Sequence, residues 1–388
     1  MPVINRVAEF QDEIAGWRRD FHQNPELQYD VHRTAGRVAE LLRSFGVDEV
    51  VEGIGRTGVV GVIRGRGPGK VIGLRADMDA LPITERTGLD YASQNSGRMH
   101  ACGHDGHTAM LLGAARYLAE TRNFDGTAIV IFQPAEEGGA GAKAMIEDGL
   151  MDRFGIAEVY GMHNMPGIPA GTFGIRAGGI MAATDEFNVV IEGLGGHAAK
   201  PHTAVDPVLT TANVIVALQS IVSRNIDPMR SAVLSVTMLA AGDAFNVIPR
   251  NVKMTGTIRT HSEEIRDFME QRFRDVVNQV SGAFGCKADI NYRRGYPVTV
   301  NSADETDYAA AIATEIAGSE RVNANVDASM GGEDFSYMLQ ARPGAYIFLG
   351  NGDTSDLHTD TYDFNDEIIP VGVSYLVRLV EGASRNTN

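Results

Sequence analysis

The stretch Thr127-Ala-Ile-Val-Ile-Phe-Gln-Pro-Ala-Glu-Glu-Gly138 decides the fold class. Thr127 to Phe132 is an apolar run of the length a buried strand takes, and the carboxylates of Glu136 and Glu137 follow it directly. Two adjacent acids repel unless a cation or a proton separates their roles. The pair therefore reads either as one metal ligand beside one proton carrier, or as two solvated surface acids. Outward from this segment, β-rich runs at Gly58 to Ile63, Val71 to Leu74 and Glu158 to Met162 alternate with helical spacing at Ala109 to Ala119 and Gly141 to Asp148. Helical patterns at Val7 to Phe21 and Thr34 to Phe45 precede them, and Gly46 ends the second. The alternation predicts an α/β fold, a central sheet covered by helices on both faces, with functional groups at strand ends. Asp77, Asp79 and His163 fall at such ends. Ala101-Cys-Gly-His-Asp-Gly-His107 adds a thiol and an imidazole two residues apart in a Gly-loosened loop. Both could turn toward one cation, or the Cys is simply buried beside a surface His.

The middle of the chain has another rhythm. Strand Glu186 to Glu192, helix Asp206 to Ser223, strands Ala232 to Leu239 and Val252 to Arg259, helix Glu263 to Gly282 and strand Ala288 to Tyr292 give a βαββαβ order. That is the split arrangement of a ferredoxin-like domain with a four-stranded antiparallel sheet. The α/β pattern then returns with Asp304 to Ala317, Glu333 to Gln340, a strand at Ala345 to Leu349 and a last helix from Ile369 to about Ser384. The expected organisation is a discontinuous domain of residues 1–183 and 295–388, interrupted by an inserted domain of residues 184–294. His358 comes from the returning part, so a site that includes it closes only if the two outer portions form one domain.

Composition narrows the function. A chain of 388 residues exceeds what one core usually organises, and an apolar fraction of 44% is ample for two. A formal charge of −16, without long Lys/Arg clusters, argues against nucleic-acid and anionic-membrane partners. Cys102 and Cys286 lie in dissimilar contexts, which disfavours a structural disulfide and points to a reducing cytoplasm. The start of the chain lacks the apolar core of a signal peptide, and nothing approaches the ~18 to 20 apolar residues that span a bilayer.

Several ordered motifs carry a resemblance: Arg18-Arg-Asp-Phe-His-Gln-Asn-Pro-Glu-Leu27, Leu74-Arg-Ala-Asp-Met-Asp-Ala-Leu-Pro82, His100-Ala-Cys-Gly-His-Asp-Gly-His107, Gly161-Met-His-Asn164, Gly195-Gly-His-Ala-Ala-Lys-Pro-His202, Asn246-Val-Ile-Pro249, Met330-Gly-Gly-Glu-Asp-Phe335 and Leu357-His358. Together they cover nearly the whole chain. It resembles the M20 peptidases, and within them the amidohydrolases that act on hippurate, N-acyl-amino acids and auxin conjugates. The resemblance implies a di-metal hydrolase whose two divalent ions, zinc, manganese, cobalt or nickel, are held by Cys102 as bridge and by His104, Glu137, His163 and His358. Glu136 is then the general base, and Asp79 a carboxylate that orients a ligand from behind.

In the inserted domain the resemblance makes His197 a stabiliser of the tetrahedral intermediate; without it, His197 reads as a solvated loop residue. Asn246 and Arg259 become candidates for holding a substrate α-carboxylate, with Arg259 equally readable as a surface strand residue, and Glu333 a candidate facing the substrate. His22, Asp105 and His107 are left outside the ligand set, His107 opening a helix from Thr108. Val31 departs from the pattern, which has a Glu there. The implied activity is hydrolysis of N-acyl-amino acids by a homodimer that pairs through the inserted domain. A dipeptidase or aminopeptidase of the same clan is the competing activity, and a non-catalytic binding protein the third possibility.

Overall fold

In the computed structural model, which describes residues 3–383, the strand Thr127–Gln133 lies inside an eight-stranded mixed sheet. The order across this sheet is Glu49–Ile54, Gly58–Arg64, Thr127–Gln133, Val71–Asp77, Glu158–Pro166, Gly344–Gly352, Phe173–Gly174 and Val322–Asn323. Four central neighbours run parallel: 127–133 beside 71–77, then 158–166, then 344–352. Parallel strands are buried on both faces and read as unbroken apolar runs, and Ala128 to Gln133 are buried without interruption. Parallel pairing also puts the carboxyl ends of all four strands on one edge, where an α/β sheet places its ligands.

Helix His104–Thr121 packs against strand 71–77 and against helices Gln11–Gln23 and Ile369–Ala383. It contributes Met110, Leu111, Leu112 and Leu118 to the main core. The last of these helices is buried along most of its length, and the expected end at Ser384 lies outside the described residues. No helix among the described residues is long and apolar enough to cross a membrane.

Two compact units emerge. One comprises Met1–Ile180, Val300–Asp327 and Asp334–Asn388 and holds the large sheet; the other comprises Met181–Thr299 and Ala328–Glu333. In the second unit, strands Ala232–Ala241, Asn251–Thr260, Ala183–Glu192 and Lys287–Arg294 pair antiparallel in that order. Burial alternates residue by residue along 183–192 and 251–260, the signature of a sheet with one face covered. Phe187, Val189, Ile191, Met254 and Ile258 of that face share a core with Val214 and Leu218 from helix Pro207–Ser220 and Met269, Phe273 and Val277 from helix Glu263–Ala283. Asp206 caps the first helix and Ser262 the second, each accepting first-turn N–H groups.

The differences from the sequence expectation have local causes. The first helical pattern divides at Phe10 into Asn5–Glu9 and Gln11–Gln23. Glu49–Ile54 is an additional strand at the sheet edge, half-polar and largely exposed, so it carries no apolar run. The helix expected from Glu333 starts at Ser336 instead. Val31 is wholly buried in the main core, where a carboxylate would need a partner. The anchoring of helix His32–Ser44 is supplied by Glu26, whose two oxygens accept from Arg33 N at 3.1 Å and Thr34 N at 2.8 Å.

Candidate metal centre

The candidate residues of the first unit come from the four parallel strands, the segments that follow them and the start of one helix. Asp77 closes strand 71–77, His163 lies within strand 158–166, and Glu136 and Glu137 follow strand 127–133. His358 comes six residues after strand 344–352 ends. His104 is the first residue of its helix, entered through Gly103 in the left-handed conformation at φ +89°. A side chain at Gly103 would also collide with Asn164 and Tyr362, so the glycine serves both the turn and the close approach.

These residues meet. Cys102 Sγ is 3.4 Å from His163 Nε2, and Glu137 Oε1 is 3.4 Å from His358 Nε2. His104 Nε2 is 4.0 Å from both Glu136 Oε2 and Glu137 Oε1. Ligand atoms of Cys102, His104 and His163, of Cys102, Glu137 and His358, and of His104, Glu136 and Glu137 form overlapping triplets close enough for shared cations. Cys102 is common to the first two triplets and Glu137 to the last two.

The surroundings fix which atoms face inward. His104 donates from Nδ1 to the Asp79 carbonyl at 2.8 Å, and His163 from Nδ1 to the Asn164 carbonyl at 2.6 Å, so each ring presents an unprotonated Nε2 to the cluster when neutral. The Asp79 carboxylate accepts from Glu136 N at 2.9 Å and Glu137 N at 3.1 Å. One residue therefore orients a histidine through its main chain and the glutamate pair through its side chain. His107 is buried in the first turn of the helix, between Asp77 Oδ1 at 2.6 Å and Asn164 Oδ1 at 2.7 Å, and does not open a helix at Thr108. Arg75 pairs with Asp77 at 2.8 Å and Asp334 at 3.0 Å, bracing the strand end from the other side.

The cluster fits cations. His104 Nε2 and Glu137 Oε1 are buried and have no hydrogen-bond partner among the described residues, although both point among opposing ligand atoms. Burial pushes the Cys102 thiol up and works against charge on His104, yet Asp77 and Cys102 outweigh it and raise that imidazole well above its ordinary value. Cys102 and Glu137 likewise hold His358 up to about 10. Protons accumulate on ligands where negative groups converge without enough positive charge, and bound metal replaces such protons.

The remaining candidates sit in the second unit. His197 is exposed on a two-residue strand paired with Val247–Ile248, and Asn246 O accepts from Ala198 N at 3.0 Å, so His197 and Asn246 share one ribbon. His197 Nδ1 accepts from Ala199 N at 3.1 Å, leaving Nε2 outward. Arg259, half-buried and bonded to Thr257, pairs across the sheet with Thr184, against which Gly332 packs beside the buried Glu333.

The sheet and the thiol, imidazole and carboxylate set gathered at its carboxyl edge are those of a metallohydrolase. The chain belongs to peptidase family M20/M25/M40, whose model matches residues 73–382. It is 43% identical to hippurate hydrolase of Campylobacter jejuni, over 98% of each chain. It is 42% identical to N-acetyl-L-cysteine deacetylase of Bacillus subtilis, over 98% of this chain and 89% of that one. Among solved structures it superposes with a TM-score of 0.85 on the Bacillus subtilis YXEP protein, described as a dinuclear metal binding peptidase of the M20 family, at 33% identity over 97% of this chain and 99% of the other.

Proposed function

We propose that this chain hydrolyses the amide bond of N-acyl-amino acids, giving a carboxylate and a free amino acid. The observation that carries the reading is the convergence of Cys102, His104, Glu137, His163 and His358, with the carboxylate of Glu136 beside them. Two divalent cations, of zinc, manganese, cobalt or nickel, held by those five residues would polarise the acyl carbonyl and acidify the attacking water.

The chain's own groups do the rest. Glu136 takes the proton of the attacking water as its oxygen bonds to the acyl carbon. When the C–N bond breaks, Glu136 returns that proton to the leaving nitrogen. Asp79 keeps both glutamates in register through their N–H groups. His197 donates to the oxyanion, Asn246 and Arg259 take the substrate α-carboxylate, and Glu333 faces the substrate. The protein acts as a homodimer, and His197 serves the site of the partner subunit. This is supported by the edge strand 232–241, with Met238 and Leu239 exposed, and by Val208, Leu209 and Val216 exposed on helix 207–220. Both cysteines are free and buried, in keeping with a reducing cytoplasm.

The test is a panel of hippurate, N-acetyl-amino acids, their α-carboxamides and dipeptides, with manganese, cobalt or zinc added. Acylated amino acids should turn over well and their carboxamides poorly. Preference for dipeptides, or indifference to the α-carboxylate, would overturn the proposal.

A further inference from the structure

Behind the ligand loop lies a second buried polar cluster with no part in the reaction just described. His22 and Arg18 stand four residues apart on helix 11–23 and so share one face. Asp105, next to His104, meets both: Oδ2 lies 2.8 Å from His22 Nδ1 and 3.6 Å from Arg18 Nη1. The same guanidinium also reaches the segment that follows His358. Arg18 Nε donates to Asp366 Oδ1 at 2.8 Å and Nη1 to Asp363 Oδ1 at 3.4 Å. Tyr91 lies under the guanidinium, 4.5 Å from its ring centre, and donates to Asp363 Oδ2 at 2.9 Å. His22 completes the cluster through Nε2, 3.3 Å from Glu85 Oε1.

As a stabiliser this cluster is poor. Arg18, His22 and Asp105 are at most 1% exposed, and taking an arginine and a carboxylate out of water costs several kcal/mol per ion. Arg18 Nη2, Asp105 Oδ1 and both ring nitrogens of His100 are buried without a hydrogen-bond partner among the described residues. Buried polar atoms left so cost free energy, and hydrocarbon of equal volume would serve the core as well or better. What hydrocarbon lacks is direction. A planar guanidinium fixes the angle between the carboxylates it joins, and here they flank ligands from distant parts of the sequence. One lies beside His104; the others lie five and eight residues past His358.

We propose that Arg18 and His22 are positioning residues for the metal centre, tying the Cys102–His104 segment to the His358 segment through Asp105, Asp363 and Asp366. The inference rests on the reading of those ligands given above. Its measure is metal affinity, because removing a group that orients ligands from behind typically costs about 10- to 100-fold.

Zinc affinity is measured by competition with a chromophoric chelator, and folding by urea titration. Arg18→Met should weaken zinc binding within that range, and Arg18→Lys should fail to restore it, since an ammonium cannot bridge two carboxylates in a fixed plane. His22→Gln, and Asp366→Asn at the margin of the cluster, should each weaken binding in the same direction by a smaller factor. If Arg18→Met does not fold, these two variants decide. A folded variant with a lower urea midpoint but zinc affinity within twofold of the parent would mark the cluster as structural only and overturn the inference. Cys102→Ser separates the two failures. If it too keeps full zinc affinity, the ligand assignment falls first; if it loses affinity while the cluster variants do not, only the positioning role falls.

Discussion

Asp79 is where a single substitution should separate the glutamate arm from the histidine arm of the site. Its side chain accepts from Glu136 N and Glu137 N, while its carbonyl accepts from His104 Nδ1. Asp79→Asn keeps the carbonyl and one acceptor oxygen, but sets an N–H₂ group against a backbone N–H. One charge-assisted bond is lost, worth about 1.5 to 3 kcal/mol. Asp79→Ala loses two, and should cost roughly twice as much. The chain's single tryptophan, Trp17, lies in the first unit 5.4 Å from Phe45, so fluorescence during urea unfolding follows that unit. The midpoint should step downward from Asp to Asn to Ala. Turnover should fall about 10- to 100-fold in Asp79→Asn as the glutamates lose their register. An Asp79→Asn chain whose stability stays within about 0.5 kcal/mol of the parent, the range of an inconsequential surface change, and whose turnover is normal would refute the argument.

Three further expectations follow from the same geometry. Glu136→Gln should bind metal and fold normally yet lose on the order of 10²-fold or more in turnover; near-normal rates would remove Glu136 as the base. Burial opposes charge on His22, but Asp105 and Glu85 raise it from 6.5 to about 9, so its contribution is fully present below about pH 6.5 and is lost as pH rises through about 9. With metal stripped from both proteins, about 3 kcal/mol of stability should disappear over that window in the parent and not in His22→Gln; parallel pH curves would contradict it. Mixing His197→Ala with Glu136→Ala chains, with subunit exchange verified by pull-down, should restore about a quarter of parental activity; mixed dimers without activity would exclude a shared site.

The parallel core was legible because strands such as 127–133 and 158–166 are buried on both faces and so write themselves as apolar runs. The candidate ligand set that the structure brings together was legible because a thiol, imidazoles and paired acids near strand ends have few other uses together. Other features leave no such trace. Helix 104–121 begins four residues before the expected Thr108 because His104, Asp105 and His107 are polar and yet buried, which erases the periodicity of its first turn. The grip of Arg18 on Asp105 and Asp366 spans most of the chain, and nothing local in any of the three positions announces the others. Glu26 anchors helix 32–44 from six residues before its start, outside the position where a capping residue marks a helix in sequence.

Strand 344–352 has a consequence for synthesis. It pairs in parallel with strand 158–166, yet the ribosome delivers it only after the whole of residues 181–299. Until then the growing chain carries strand 158–166 without its later neighbour, an apolar edge of the kind that recruits other chains. The intervening unit draws its own core from residues nearer in sequence, and can condense while the earlier one waits. A ribosome stalled shortly before Gly344 would therefore display the core of the second unit already condensed while the large sheet is still unfinished. Chaperone capture of this protein should peak at that length and fall once His358 has emerged.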